Sequence, residues 1–399
     1  MKINTDPAKI KEILERGVED VFVKESLKAK LLSGKQLRVK LGFDPTGTKI
    51  HIGRAIALRK LRAFQDLGHI AVFIAGDFTA QIGDPSDKLS KRPMLTKDVI
   101  KKNLETYKKQ ISKIIDLKKA EFYYNSAWLK KLKLEEIANL AEAFSVQQMS
   151  SRRNFAERFE KKEEVSLREF LYPLMQGYDS VMVKADVELG GFDQLFNLKA
   201  GRIVQKHYNQ PEQDVLTIQM LEGTDGRKMS TSWGNIITIV DEPADMFGKI
   251  MSVRDNLITK YFLLCTDYDM SEINAIEKSF EMGANPRDVK MRLAFEIVTT
   301  YHNEKAATAA KESFIQTFQK KEIPDDVLEV LVQPHTLLVD VLLAHKLVES
   351  KSDWRRLVDA NAVELLEDNT PITDPGYVVW KDGTFKIGKK RFIKVKVNS

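Results

Sequence analysis

A single cysteine, Cys265, occurs in 399 residues, so no internal disulfide can form and a reducing compartment is expected. Histidine is also scarce. The six at positions 51, 69, 207, 302, 335 and 345 fall at no metal-ligand spacing, which removes the expectation of a metal held by the chain itself. No apolar run reaches the roughly 20 residues that cross a bilayer. The start, Met1-Lys2-Ile3-Asn4-Thr5-Asp6-Pro7, lacks the apolar centre of a secretory leader. A cytoplasmic chain with no membrane partner is the expectation. A strong excess of one charge is missing too: 63 Lys and Arg stand against 57 Asp and Glu, a net charge of +6. That balance admits a nucleic-acid partner without requiring one.

What is present is core-forming material, 43% hydrophobic and 30% charged, in a chain too long for one typical core. Residues 7–32 carry Ile10, Ile13, Leu14, Val18, Val21, Leu27, Leu31 and Leu32, which predicts one or two amphipathic helices stopped by Ser33-Gly34. Leu37 to Gly42 reads as a strand, and the Pro-Thr-Gly turn after it leads to a helical stripe (Ala57, Leu58, Leu61, Phe64, Leu67) closed by Gly68. The apolar run from His69 to Gly76 then reads as a buried parallel strand, completing a strand–helix–strand unit. Thr96 caps a further helix, Glu121 to Tyr124 reads as a strand, and helical patterns run to about Ser180. Val181 to Leu189 reads as strand or extended chain, and Asp214 to Met220 as another strand. The alternation predicts an α/β fold with a Rossmann-type doubly wound parallel sheet and a helical insertion, over residues 1–236. An all-α domain is expected over 237–330, and a small α+β domain over 331–399 with a basic tail. From 381 onward seven cations (Lys381, Lys386, Lys389, Lys390, Arg391, Lys394, Lys396) face one acid, Asp382.

Three stretches carry chemistry. His51-Ile52-Gly53-Arg54 opens a helix straight after a strand and a glycine-containing turn, a place where unpaired N–H groups and the helix dipole favour an anion. Lys228-Met229-Ser230-Thr231-Ser232 lies on a loop flanked by Gly223, Gly226 and Gly234. Each alone is a weak signal, equally a loop histidine or a solvated basic turn. In Tyr172-Pro173-Leu174-Met175-Gln176-Gly177-Tyr178-Asp179, helical spacing puts a phenol, an amide and a carboxylate on one face.

In this order the first two resemble the paired signatures of class I aminoacyl-tRNA synthetases, with Arg54 and Thr231 at variable positions. The third, with Gly190-Gly191-Phe192-Asp193-Gln194, resembles the amino-acid pocket of the tyrosyl branch of bacterial type. The resemblance covers essentially the whole chain. It implies tyrosine activation by ATP, with Mg²⁺ accompanying the nucleotide and no tightly bound cofactor, then transfer to tRNA(Tyr). It also implies a homodimer. Residue by residue, Thr46, His51 and Lys228 would serve the phosphates, and Lys88 and Arg92 would close over pyrophosphate. Gly42, Asp44, Gly53, Arg54, Gly191, Asp193, Met229 and Ser230 would complete the ATP site, with Asp193 and Gly191 holding the ribose. Thr79, Asp84, Tyr172 and Gln176 would surround the substrate ammonium, Gln194 would sit near the reacting carboxylate, and Asp179 would accept the phenolic O–H. Where the better-known branch has a tyrosine on the first strand, Lys40 stands here, as in the other bacterial branch. It is a second phenol partner or a solvent-facing strand residue.

The carboxylate that reacts is already ionised at neutral pH, so the absence of a triad or acid/base pair is consistent with this chemistry. The tail resembles a small RNA-binding domain first described in a ribosomal protein, with Lys389, Lys390 and Arg391 expected on tRNA phosphates. Two rivals are the neighbouring tryptophanyl enzymes, against which Asp179 speaks, and a non-enzymatic RNA-binding relative, against which the intact His51, Lys228 and Asp84 speak.

Overall fold

The computed structural model describes residues 3–85, 95–322, 327–367, 370–388 and 391–398. The chain divides into two compact units, Met1–Lys311 and Glu312–Ser399.

The first unit is built on a six-stranded sheet of β1 (Val18–Phe22), β2 (Arg38–Phe43), β3 (Ile70–Ala75), β4 (Ala120–Tyr124), β5 (Val187–Gly191) and β6 (Asp214–Ile218). Their spatial order is β1-β6-β5-β2-β3-β4. All neighbours run parallel except β1, which lies antiparallel to β6. From β2 the chain steps outward on one side to β3 and β4, and later returns on the other as β5 and β6. The switch therefore falls between β2 and β5, and ligands bind beyond the carboxyl ends of strands at such a point.

The helices of this unit begin with α1 (Pro7–Glu15), α2 (Lys24–Leu32), α3 (Ile52–Asp66) and α4 (Thr79–Ile82). Between β3 and β5 come α5 (Lys97–Leu104), α6 (Tyr107–Ile111), α7 (Ser126–Leu129), α8 (Leu134–Ala141), α9 (Val146–Ser150), α10 (Arg153–Glu160) and α11 (Leu167–Val183). After β5 follow α12 (Leu195–His207), α13 (Pro243–Met251), α14 (Ile258–Cys265), α15 (Met270–Glu281), α16 (Pro286–Tyr301) and α17 (Glu304–Glu322), the last crossing the unit boundary. α3 packs on β2, β3 and β5, while α11 lies on β2 and α12 on β5 and β6. With helices on both faces, strand residues of either parity are buried: Val39, Lys40 and Leu41 all are. α3 ends as its sequence dictates. Gly68 takes φ +94°, and the His69 N–H returns to the Phe64 carbonyl at 3.1 Å.

Two sequence expectations are corrected here. Val18–Phe22 belongs to no helix; it is the edge strand β1, with Glu19 and Asp20 exposed and obscuring the pattern. Val181 and Val183 complete α11 instead of starting a strand, because both are buried among apolar neighbours and Lys184 stops the helix in the left-handed region at φ +48°.

The second unit has its own core, centred on Leu338, Leu342, Trp354, Phe385 and Ile393. Its five-stranded sheet takes β7 (Leu328–Val332), β9 (Val363–Leu365), β10 (Thr370–Pro371), β12 (Gly383–Ile387) and β13 (Arg391–Val397) in the order β10-β9-β12-β13-β7. A separate short pair joins β8 (Thr336–Leu337) to β11 (Val378–Val379). Two helices, α18 (Leu338–Ala344) and α19 (Lys351–Asp359), pack with each other. β12 and β13 form an antiparallel hairpin, and β7 lies beside β13 in parallel.

Candidate active site

The turn after β2 is held from beneath by α3. Arg54, in its first turn, donates to the Thr46 hydroxyl at 3.0 Å, the Asp44 carbonyl at 3.2 Å and the Tyr107 hydroxyl at 3.0 Å. Arg54 is thus a brace that fixes the turn. His51 is the N-cap of α3, and its Nδ1 accepts the Arg54 N–H at 3.3 Å. Burial, then the charges of Arg54 and Lys228, push its pKa down to about 3. The ring is therefore neutral, with its proton on Nε2 as the free donor.

The second motif sits alongside. A Cβ on Gly53 would lie 3.1 Å from the His51 ring and 3.6 Å from Met229 Sδ, so glycine lets the two motifs touch. Ile52 donates to the Ile237 carbonyl at 2.8 Å and Ile239 to the Ile50 carbonyl at 2.9 Å, stitching the turn to the chain after the Lys228 loop. Asn235 organises that loop. It accepts from the Ser230 N–H at 2.9 Å and donates to Asp225 at 2.7 Å and to the Lys228 carbonyl at 3.1 Å. Lys228 pairs with Asp193 at 2.7 Å, joining the expected phosphate cation to the expected ribose acid. Thr231 is exposed and begins a short 3₁₀ turn.

On the other side of the switch point lies a buried polar chain. Asp44 accepts from Thr79 Oγ1 at 2.7 Å and from the Tyr172 hydroxyl at 2.9 Å, and burial raises its pKa to about 6. Asn125 donates to Thr79 at 3.0 Å and to Asp179 at 3.2 Å, and Trp128 Nε1 donates to the other Asp179 oxygen at 2.7 Å. Burial lifts Asp179 to about 7, opposed by the nearby Lys40 charge and these two donors. Thr79 and Tyr172, expected with Asp84 around the substrate ammonium, thus meet at Asp44. Asp84 is held instead by Gln194 at 2.7 Å and Asn197 at 3.3 Å, with Arg152 at 3.8 Å.

The solvent-facing alternative for Lys40 is overturned. Its side chain is 1% exposed, and Nζ meets Glu188 at 2.9 Å, Ser180 Oγ at 2.7 Å and the Gln176 carbonyl at 2.9 Å. All three ammonium protons are committed to the protein. Glu188 in turn accepts from the Gln176 amide at 3.0 Å and from Ser180 at 3.2 Å. The ion pair supports the pocket from below.

One cavity of about 510 Å³ brings most of these groups together. Gly42, Asp44, Thr46, His51, Gly53, Arg54, Asp84, Tyr172, Gln176, Gly191, Asp193, Gln194, Lys228, Met229 and Ser230 line it; Lys40, Thr79 and Asp179 do not. Lys88, Arg92, Lys389 and Lys390 lie outside the described residues. Arg391 opens β13 in the second unit, donating to the Leu347 carbonyl. Sequence reasoning missed Asn125, Trp128, Arg152, Glu188, Asn197 and Asn235. For Asn125 and Trp128 a signal existed, since they follow the carboxyl end of β4 and so face the same crevice. Among the described residues no cluster of three His, Cys, Asp or Glu could hold a metal ion.

Residues 32–319 match the family model for class I tRNA synthetases (W and Y). A tyrosine–tRNA ligase of Thermotoga maritima is 45% identical over 388 residues, covering 96% of each chain. Another from Dehalococcoides mccartyi is 44% identical over 396 residues, covering 98% of this chain and all of its own. Among solved structures, a C-terminally truncated mitochondrial tyrosyl-tRNA synthetase of Aspergillus nidulans superposes with TM-score 0.64 at 22% identity, covering 78% of this chain and 94% of its own. The Archaeoglobus fulgidus tyrosyl-tRNA synthetase in complex with L-tyrosine gives 0.62 at 21%, covering 76% and 99%.

Proposed function

This chain belongs to the class I tRNA synthetases of the tryptophan and tyrosine type, and we propose that it works as a tyrosine–tRNA ligase with its phosphate chemistry at His51 and Lys228. It activates tyrosine with ATP and transfers the tyrosyl group to tRNA. The observation that carries the residue-level reading is the shared cavity. It sets the His51–Lys228 pair beside the Asp44–Tyr172–Gln176 cluster, so a nucleotide phosphate and an amino acid could meet there.

In the first step the tyrosine carboxylate attacks the α-phosphate and pyrophosphate leaves. The protein's task is positioning and charge stabilisation. His51 donates from Nε2, and the Thr46 hydroxyl, held by Arg54, donates from the same turn. Lys228 exchanges Asp193 for phosphate, which frees that carboxylate for the ribose. Mg²⁺ rides on the ATP phosphates, which are its usual ligands alongside water. Asp44, expected in the ATP site, instead joins Asp84 as an acceptor for the substrate ammonium because it meets Thr79 and Tyr172, with Tyr172 and Gln176 framing the group. Asp179 takes the phenolic O–H. Its two oxygens hold one protein donor each, and a carboxylate accepts more. Phenylalanine would leave that buried carboxylate short of a partner.

The helices of 237–330 serve the anticodon stem, and the basic strand of the second unit, with Arg391, contacts tRNA phosphates. The protein works as a homodimer through the helical insertion, where Leu134, Val146 and Leu167 are 82%, 73% and 83% exposed. It operates in the cytoplasm; among the described residues no helix is long and apolar enough to cross a membrane. The test is amino-acid-dependent exchange of pyrophosphate into ATP. Tyrosine should support it; exchange with tryptophan alone would make the chain the other family member, and exchange with neither would make it a binding protein.

A further inference from the structure

A second cavity, of about 500 Å³, is walled by α1, α3 from Ile56 onward and the end of α14, with Lys113, Ile114 and Thr300. Part of its wall is apolar, with Ile13, Ile56, Leu67 and Leu264. The rest is charged and out of balance. Each of its three acids is taken by an arginine: Glu12 by Arg16 at 3.2 Å, Asp66 by Arg62 at 2.7 Å and Asp267 by Arg59 at 2.5 Å. Three lysines of the wall, Lys9, Lys60 and Lys113, have no carboxylate partner among the described residues.

Lys60 is the most telling. It is 9% exposed, and its ammonium donates to the carbonyls of Ile13 at 2.8 Å and Arg16 at 2.7 Å, at the end of α1. Lys113 likewise donates to the carbonyls of Tyr301 at 3.0 Å and Ile239 at 3.2 Å. Carbonyl oxygens satisfy hydrogen bonds but carry only partial charge, so the full positive charges remain uncompensated. Burial, then the nearby Arg16, pulls the Lys60 pKa down to about 8 against the weaker opposing pull of Glu12, the response of a cation that lacks a paired counter-ion. Nothing in the activation or transfer chemistry uses these groups.

We propose that this cavity binds a small organic oxyanion, its anionic head between Lys9, Lys60 and Lys113 and its carbon part against Ile13, Ile56 and Leu264. The recognising chemistry is three uncompensated ammonium groups beside an apolar wall. Phosphate and carboxylate heads both meet it.

Calorimetric titration of the full chain tests this, with the catalytic cavity held occupied by saturating tyrosine and a non-hydrolysable ATP analogue. Inorganic phosphate and benzoate serve as separate probes. At least one should bind at a single site, and the stronger one identifies the head group. Lys60→Met should weaken that binding at least tenfold and Lys9→Glu at least fivefold. Lys11→Glu, on α1 but outside the cavity wall, should leave it within twofold. No binding of either probe overturns the proposal, as does an affinity that Lys9→Glu leaves unchanged or that Lys11→Glu lowers as much. Should Lys60→Met fail to fold, exposed Lys9 and the pairing of Lys113→Met with it decide the matter.

Discussion

At the scale of single residues, the site is governed by buried charge. Asp179 and Asp44 have pKa values raised to about 7 and about 6, burial being the first cause for each. A carboxyl raised on folding stabilises the fold while protonated, and that contribution is lost as pH rises through the folded value. His51, lowered to about 3, runs the other way: its contribution is present above the unfolded value and lost as pH falls. Lys60, lowered to about 8, likewise contributes only on the alkaline side. Between about pH 6.5 and 7.5 the loss from Asp179 is opposed by the gain from His51 and from His69, whose pKa burial lowers to about 4, so the Asp179 contribution is read as the difference between the wild type and Asp179→Asn. The stability of Asp179→Asn relative to the wild type should therefore rise across that interval, read as urea midpoints. The KM for tyrosine should fall over the same interval as the carboxylate forms, and this trend should vanish in the variant. A wild-type profile as flat as the variant's would remove Asp179 from the phenol.

Lys40 makes a second residue-scale case. Removing its ammonium leaves Glu188 charged and buried, and breaking a buried pair costs about 3–5 kcal/mol. Lys40→Met should lose that much in urea unfolding, whereas adding Glu188→Gln should restore at least half and keep an acceptor for the Gln176 amide. If the single variant is as stable as the parent, the pair does not support the pocket.

At the scale of elements, close approach decides where a side chain is allowed. Gly76 directly follows β3, and a Cβ there would lie 2.1 Å from Asp44 Oδ1 and 2.4 Å from Thr79 Oγ1. Gly76→Ala must separate that pair, so the KM for tyrosine should rise at least tenfold while that for ATP stays within twofold. Overpacking of this kind costs about 1–3 kcal/mol, a loss visible in thermal unfolding. Equal changes in both constants would mean that the whole crevice had moved.

Which elements could be read in advance follows from the same packing. β3 was legible because a buried parallel strand is continuously apolar, α3 because it shows a clear apolar stripe, and β2, which carries Arg38 and Lys40, because a short apolar-biased run ends there in a glycine-containing turn. β1 was not, since an edge strand exposing Glu19 and Asp20 has no such signature. The extra turn of α11 was hidden by the β-branched Val181 and Val183, whose burial overrides their local preference. Within the site, Tyr172 and Gln176 were visible as a polar stripe on one helix. The donors to Asp84 come from Gln194, Asn197 and Arg152, distant in sequence, so only the folded chain brings them together.

At the scale of the whole molecule, the chain forms two units. The second has a five-stranded sheet and its own core around Trp354 and Phe385. Among the described residues, the cavity that holds His51 and Lys228 is lined by the first unit alone. A chain stopped after Glu322 keeps α17 whole, so it should retain tyrosine-dependent exchange within about twofold of the full chain. Charging of tRNA should drop at least tenfold. Its salt dependence should flatten too, because every phosphate that the basic strand no longer neutralises takes close to one unit off the slope of log affinity against log salt. Failure of exchange and charging together would show that the second unit supports the first fold; charging retained at full rate, with an unchanged salt slope, would take tRNA binding away from the second unit altogether.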